Sequence, residues 1–295
     1  MESLQKFKGI FPALVTPFTA GDELNLKSLR DIIELNISAG VNGFYVCGST
    51  GEAFLLSEAE RKAVYETAAD AVRGRATLIA HVGCVSTSQT IAFAKYAEQL
   101  GYDAVSAVAP FYYKFNFEEI KSHYFKIADS VSLPLIIYNV PVYSGVSLSV
   151  SQASEFLKDD RIIGVKHTSN DYFALERFKQ AFPDKIIYNG YDEMCLAGLS
   201  MGADGAIGST YNFMADKFLK IRSLFQAGKS DEALKIQHEA NRIISIVCEL
   251  GVIPSVKEIL TQMGYPCGDC RKPFAPLDPE QKKRLKLEVT DRLSL

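Results

Sequence analysis

Short apolar runs alternate along this chain with longer amphipathic stretches, and the alternation repeats eight times. The apolar runs fall at 11–16, 43–47, 78–82, 104–108, 135–138, 162–166, 186–189 and 203–207. They are apolar on both faces, as strands of a parallel sheet covered by helices must be. Helical patterns lie between them, at 57–72, 88–100, 117–130, 149–157, 172–182 and 213–227. The first of these opens on Ser57 followed by Glu60, a reciprocal capping pair. An open doubly wound sheet would suit about six such units and a Gly-rich turn after its first strand. Here the first run leads into Thr16-Pro17-Phe18, with no G-x-G-x-x-G. The expected fold is therefore α/β, a (β/α)8 TIM barrel. From Ser230 onward the strand signal ends, and helical patterns at 231–250, 254–263 and 278–292 follow. They predict a barrel over 1–228 and a C-terminal helical extension, packed on it, over 229–295.

Composition narrows the partners. A formal net charge of −3 gives no electrostatic reason to expect nucleic acid or a membrane surface. No apolar run is long enough to cross a bilayer. The opening residues, Met1 to Lys8, lack the apolar stretch of a secretory signal, so a cytoplasmic home is expected. Six cysteines in 295 residues do not suggest a disulfide framework. Cys267 and Cys270 form a lone C-x-x-C in a Gly- and Pro-rich loop at 264–278; without a second pair, exposed loop thiols are expected rather than zinc. His81 and Cys84 lie at the end of an apolar run and are read as packing residues.

In such a barrel the chemistry gathers at the C-terminal strand ends. The run 162–166 ends on Lys166, and the run 135–138 ends on Tyr138. Burial disfavours an ammonium, so Lys166 is a candidate neutral nucleophile for a Schiff base with a carbonyl substrate. A lysine merely paired with a carboxylate is the alternative. Strand alternation sends Lys166 and Thr168 to one face and Val165 and His167 to the other, which puts His167 outside the barrel. Gly48-Ser49-Thr50-Gly51-Glu52 offers two hydroxyls and backbone N–H groups to a carboxylate or phosphate, or is an ordinary βα turn. Pro110-Phe111-Tyr112-Tyr113, Gly190-Tyr191-Asp192-Glu193 and Gly208-Ser209-Thr210-Tyr211 follow three further strands.

Together these strings resemble the N-acetylneuraminate lyase and dihydrodipicolinate synthase superfamily of pyruvate-dependent class I aldolases, over nearly the whole chain. The carrying pieces are Gly48-Ser49-Thr50-Gly51-Glu52, Tyr138-Asn139-Val140-Pro141 and Gly164-Val165-Lys166. The synthases of that superfamily carry an arginine just after the Tyr-Asn-x-Pro string, where this chain has Val142-Tyr143-Ser144-Gly145. The resemblance is thus to the branch that cleaves sialic acid to N-acetylmannosamine and pyruvate. It implies that Lys166 forms the imine and that Tyr138 takes the C4 hydroxyl proton. Thr50 and Tyr112 would act as a relay, with Tyr112 reaching an adjacent subunit of a homotetramer. Ser49 and Thr50 would hold the pyruvyl carboxylate, while Thr168, Gly190, Asp192, Glu193, Gly208 and Ser209 would bind the sugar. No metal or organic cofactor is implied. Other superfamily reactions, of the synthase or 2-keto-3-deoxy acid type, are the alternative, and a silent keto-acid or sugar-acid sensor is a third reading.

Overall fold

The computed structural model describes residues 4–293. Its strands are β1 Gly9–Pro12, β2 Gly43–Val46, β3 Thr77–His81, β4 Ala104–Val108, β5 Leu135–Asn139, β6 Ile162–His167, β7 Ile186–Asn189 and β8 Gly205–Gly208. All pair in parallel, in the order β1-β8-β7-β6-β5-β4-β3-β2. The ring closes where Ala13 bridges Tyr45 and the Leu14 N–H donates to the Tyr45 carbonyl at 3.0 Å. Around it run α1 Leu26–Ala39, α2 Glu58–Val72, α3 Thr87–Gln99, α4 Phe117–Ala128, α5 Pro141–Ser144, α6 Val150–Leu157, α7 Tyr172–Ala181, α8 Cys195–Ser200 and α9 Tyr211–Gln226. The C-terminal extension is α10 Ser230–Leu250, α11 Val252–Gln262 and α12 Pro279–Leu285.

Strand alternation divides the core into two layers. Ile10, Phe44, Leu78, Val105, Ile137, Val165 and Ile187 pack with helix residues such as Leu29, Ile32 and Phe93. Phe11, Tyr45, Ile79, Ile136, Ile163, Ile186, Tyr188 and Ile207 fill the barrel interior. Each fully buried side chain of this kind contributes about 1.5–3 kcal/mol. The capping pair read from the sequence is present, Ser57 Oγ accepting from the Glu60 N–H while Glu60 caps the Ser57 N–H.

Four local expectations are corrected. The first strand starts at Gly9 and ends at Pro12; Ala13 and Leu14 still bond to Gly208 and Tyr45, but residues 15 and 16 leave the ladder. Val15 N–H donates to Asn212 Oδ1 at 3.3 Å and Thr16 Oγ1 to the Gly51 carbonyl at 2.7 Å, which satisfies polar groups that a longer strand would have paired. Helix α1, assigned to no pattern above, is nucleated by Asn25, whose side chain accepts from the Ser28 N–H; it buries Leu29, Ile32 and Ile33. The expected helix at 278–292 is interrupted by a π-helical turn, Lys286–Thr290. Finally, the C-x-x-C pair is not exposed. Cys267 is buried and Cys270 half-buried, and burial pushes both thiols up to about 12. Their loop is stitched down by Phe18 N–H to the Cys267 carbonyl, 2.7 Å, and Cys267 N–H to Thr261 Oγ1, 3.0 Å.

Candidate active site

A β-bulge at the start of the β5–β6 pairing, between Leu135 and Ile136, sets a register in which Tyr138 lies directly beside Lys166. Both side chains therefore point into the barrel. Lys166 is 4% exposed. Burial lowers its pKa to about 7, against the opposing pull of the Asp192 carboxylate. Near neutrality a large share of the side chain is thus free amine, the nucleophilic form. Its Nζ lies 4.1 Å from the ring centroids of both Tyr45 and Tyr138. Burial also pushes the Tyr138 phenol up to about 12, opposed first by the nearby hydroxyl of Ser49 and then by that of Thr168.

The neighbours of Lys166 divide as the pleat requires. His167 faces outward: its Nε2–H donates to the Asp171 carbonyl at 2.9 Å and its Nδ1 accepts from Asn139 Nδ2 at 3.0 Å. It ties β6 to the cap of α7. Thr168 turns inward, its Oγ1 buried. Gly190 is the space that hydroxyl occupies, since a Cβ there would collide with Thr168 Oγ1. A Cβ at Gly208 would likewise strike Asp192 Oδ1.

Two loops complete the cavity. In the turn after β2, Gly51, Glu52 and Ala53 use their N–H groups on carbonyls of Gly48 and Ser49, while Ser49 and Thr50 N–H donate to no backbone carbonyl among the described residues. Those two donors remain for an anion. Thr50 Oγ1 lies 2.7 Å from Ser209 Oγ, joining this loop to the one after β8. In the loop after β7, Asp192 Oδ2 accepts from Thr210 N–H at 2.8 Å and Thr210 Oγ1 at 2.6 Å. Burial nevertheless raises its pKa to about 6.

The resulting cavity has a volume of about 290 Å³ and brings together Ser49, Thr50, Tyr138, Lys166, Thr168, Gly190, Asp192, Glu193 and Ser209. Gly208 lies beneath Asp192. Tyr112 does not join them: it is 87% exposed, with a backbone φ of 77°. Its ring packs edge-on against that of exposed Tyr113, while exposed Phe54 and Tyr143 form an aromatic rim of an apolar hollow of about 480 Å³ that shares Ser49, Tyr143 and Ile253 with the cavity. Among the described residues, no group of three or more His, Cys, Asp or Glu side chains is arranged to hold a metal ion.

The C-terminal extension holds both loops. Glu52 and Lys257 form a fully buried ion pair at 3.0 Å, and Glu52 Oε2 also accepts from the Arg271 N–H at 2.7 Å. Gln237 Nε2 donates to the Asp192 carbonyl at 3.1 Å and Asn241 Nδ2 to the Glu193 carbonyl at 3.0 Å. Ile244, Val247, Val252 and Ile253 add an apolar wall to the cavity.

The sequence model of the Dihydrodipicolinate synthetase family matches residues 6–292. The chain belongs to this family. It is 43% identical to the N-acetylneuraminate lyase of Rhizobium meliloti strain 1021 over 289 residues, covering 98% of this chain and 96% of that one. Its fold is similar to N-acetylneuraminate lyase from Fusobacterium nucleatum complexed with pyruvate (TM-score 0.93, 42% identity, 98% of each chain). It is also similar to a catalytic lysine mutant of the Ruminococcus gnavus sialic acid aldolase, with a TM-score of 0.95 and 33% identity over 100% of this chain and 99% of that one.

Sequence reasoning missed Tyr45, Glu52, Gln237, Asn241 and Lys257. Tyr45 looks like one more apolar residue of β2. Lys257 sits in an ordinary amphipathic helix, 205 positions from its partner. Only the Glu closing Gly48-Ser49-Thr50-Gly51-Glu52, a carboxylate in an apolar surrounding, carried any signal.

Proposed function

We propose that this protein is a class I aldolase that reversibly cleaves N-acetylneuraminate to N-acetyl-D-mannosamine and pyruvate, in sialic acid catabolism. The observation that carries the reading is a buried lysine with its pKa lowered to about 7, standing in register beside a buried tyrosine. The names of the relatives support the substrate, and the absence of an arginine among Val142-Tyr143-Ser144-Gly145 disfavours an amino-acid aldehyde.

Lys166 attacks the C2 ketone of the open-chain sugar acid, and loss of water leaves a protonated imine. Ser49 and Thr50, with their N–H groups, hold the carboxylate. Tyr138 accepts the C4 hydroxyl proton as the C3–C4 electron pair moves into the imine, giving an enamine and the aldehyde. Protonation at C3 and hydrolysis then release pyruvate. The lysine is the electron sink, so the chemistry asks for no metal or organic cofactor. Thr168, Asp192, Glu193 and Ser209 face the hydroxyls of the sugar. A phenol pushed up to about 12 needs an outlet for its proton. The outlet we assign runs through the hydroxyls of Ser49 and Thr50, with Tyr112 supplied by a second copy docked on the aromatic rim. A homotetramer in the cytoplasm is part of the same reading.

The direct test is pyruvate release from N-acetylneuraminate by purified protein without added metal. No release alongside an intact pyruvate imine would move the assignment to another aldolase of the family. Tyr138→Phe is expected to retain the imine trapped by borohydride while cleavage falls about 10²–10⁴-fold. Loss of the imine itself would contradict the role given to Tyr138. Tyr112→Phe is expected to lower kcat by about tenfold or more with the imine retained. An unchanged kcat would remove Tyr112 from the relay.

A further inference from the structure

We propose that Tyr45 is a catalytic residue of this site: its ring face, together with that of Tyr138, stabilises the positive charge that the Lys166 nitrogen carries as a protonated imine. This rests on the aldolase reading above and adds a group to it.

The geometry is specific. Lys166 Nζ stands over both rings at 4.1 Å. The rings are 6.0 Å apart at 77° to one another, so the nitrogen occupies the corner between two π faces. Tyr45 is wholly buried and has little freedom to turn away. Its hydroxyl donates to Ser106 Oγ across the barrel at 3.0 Å, its ring lies 5.8 Å from that of His81, and Gly48 leaves it room, since a Cβ there would come within 2.7 Å of the ring. The titratable groups facing the nitrogen are Tyr45 from β2, His81 from β3, Tyr138 from β5 and Asp192 after β7. Desolvation holds His81 well below its usual pKa and therefore neutral, and Asp192 acts on Lys166 through space, without an ion pair between them.

Chemistry explains why rings suit this position better than a carboxylate. A carboxylate in contact with Nζ would hold the lysine as ammonium and suppress its attack. Attack requires the free amine; the carbinolamine then takes up one proton and loses water, leaving one positive charge on C=N. Cleavage neutralises that charge as the C3–C4 pair becomes the enamine. The iminium has a single N–H and a substrate closing the cavity over it, so it has less water to lean on than the ammonium had. A π face attracts a desolvated cation and is not itself a base.

The test is to titrate the protein with pyruvate, trap with borohydride and measure the modified fraction by intact mass. Tyr45→Phe keeps the face and is the parent of the series, expected to retain more of the imine than Tyr45→Leu. Phenylalanines of increasing ring fluorination at position 45 keep the shape while draining the face, and are expected to weaken the imine stepwise. Tyr45→Leu is expected to weaken it about tenfold, with the pH midpoint of trapping moved downward. A flat response across the fluorinated series overturns the proposal even if the leucine variant folds poorly. Failure of the unmodified protein to be trapped at all overturns the aldolase reading, and this inference with it.

Discussion

Lys166→Met is expected to abolish turnover in both directions and to give a more stable protein. The loss is on the order of 10⁴-fold or more, as for removal of other covalent nucleophiles, because among the described residues no second amine lines the cavity. The gain follows from the same burial. Unfolded, the lysine has a pKa near the usual 10.4; folded, burial lowers it to about 7. Between these values the unfolded chain binds more protons than the folded one, so the stability of the unmodified protein rises with pH across that window, by about 1.4 kcal/mol per pH unit at most. Below pH 7 the full cost of burying the ammonium is present. Methionine carries none of it. The stability advantage of the variant is therefore expected to be largest near pH 6.5 and to shrink toward pH 10, measured by chemical denaturation at several pH values. An advantage independent of pH would mean that the lysine is not desolvated as described.

Lys257→Met is expected to destabilise the fold by about 3–5 kcal/mol, because it leaves the Glu52 carboxylate buried without its cation. Both side chains are essentially inaccessible, at 1% and 0% exposure. The loss should reach the site, since Glu52 belongs to the turn that carries Ser49 and Thr50. A raised KM for pyruvate in the condensation direction is the expected signature. The double variant Glu52→Gln with Lys257→Met removes both charges, and a glutamine oxygen still accepts from the Arg271 N–H. It is expected to recover most of the lost stability. Equal destabilisation of the single and double variants, read from denaturant midpoints, would show that volume rather than charge dominates at this position.

The barrel was legible because its signal is local. A strand's side chains alternate between its two faces, so the runs at 135–138 and 162–166 already implied that Tyr138 and Lys166 face the lumen, although the bulge turns Ile163 inward as well. Lys166, Tyr138 and Thr168 share the cavity, and His167 lies outside it, as the pleat dictates. The end of the first strand was misplaced for a non-local reason: residues 15 and 16 read as strand, and their partners are Asn212 and Gly51.

The sequence by itself determined the βα alternation, the C-terminal ends of every strand but the first to within a residue, and the nucleophile waiting near one of them. Tertiary structure alone decided what surrounds that nucleophile. It put Tyr45 against Nζ, buried Cys267 under the loop that was expected to expose it, and left Tyr112 outside the cavity of its own chain. It also clamped the Ser49-Thr50 turn through Glu52 with a lysine 205 positions away. The reason is range: periodicity fixes the direction of a side chain within its own element, whereas burial, pairing and pKa depend on which distant elements close over it.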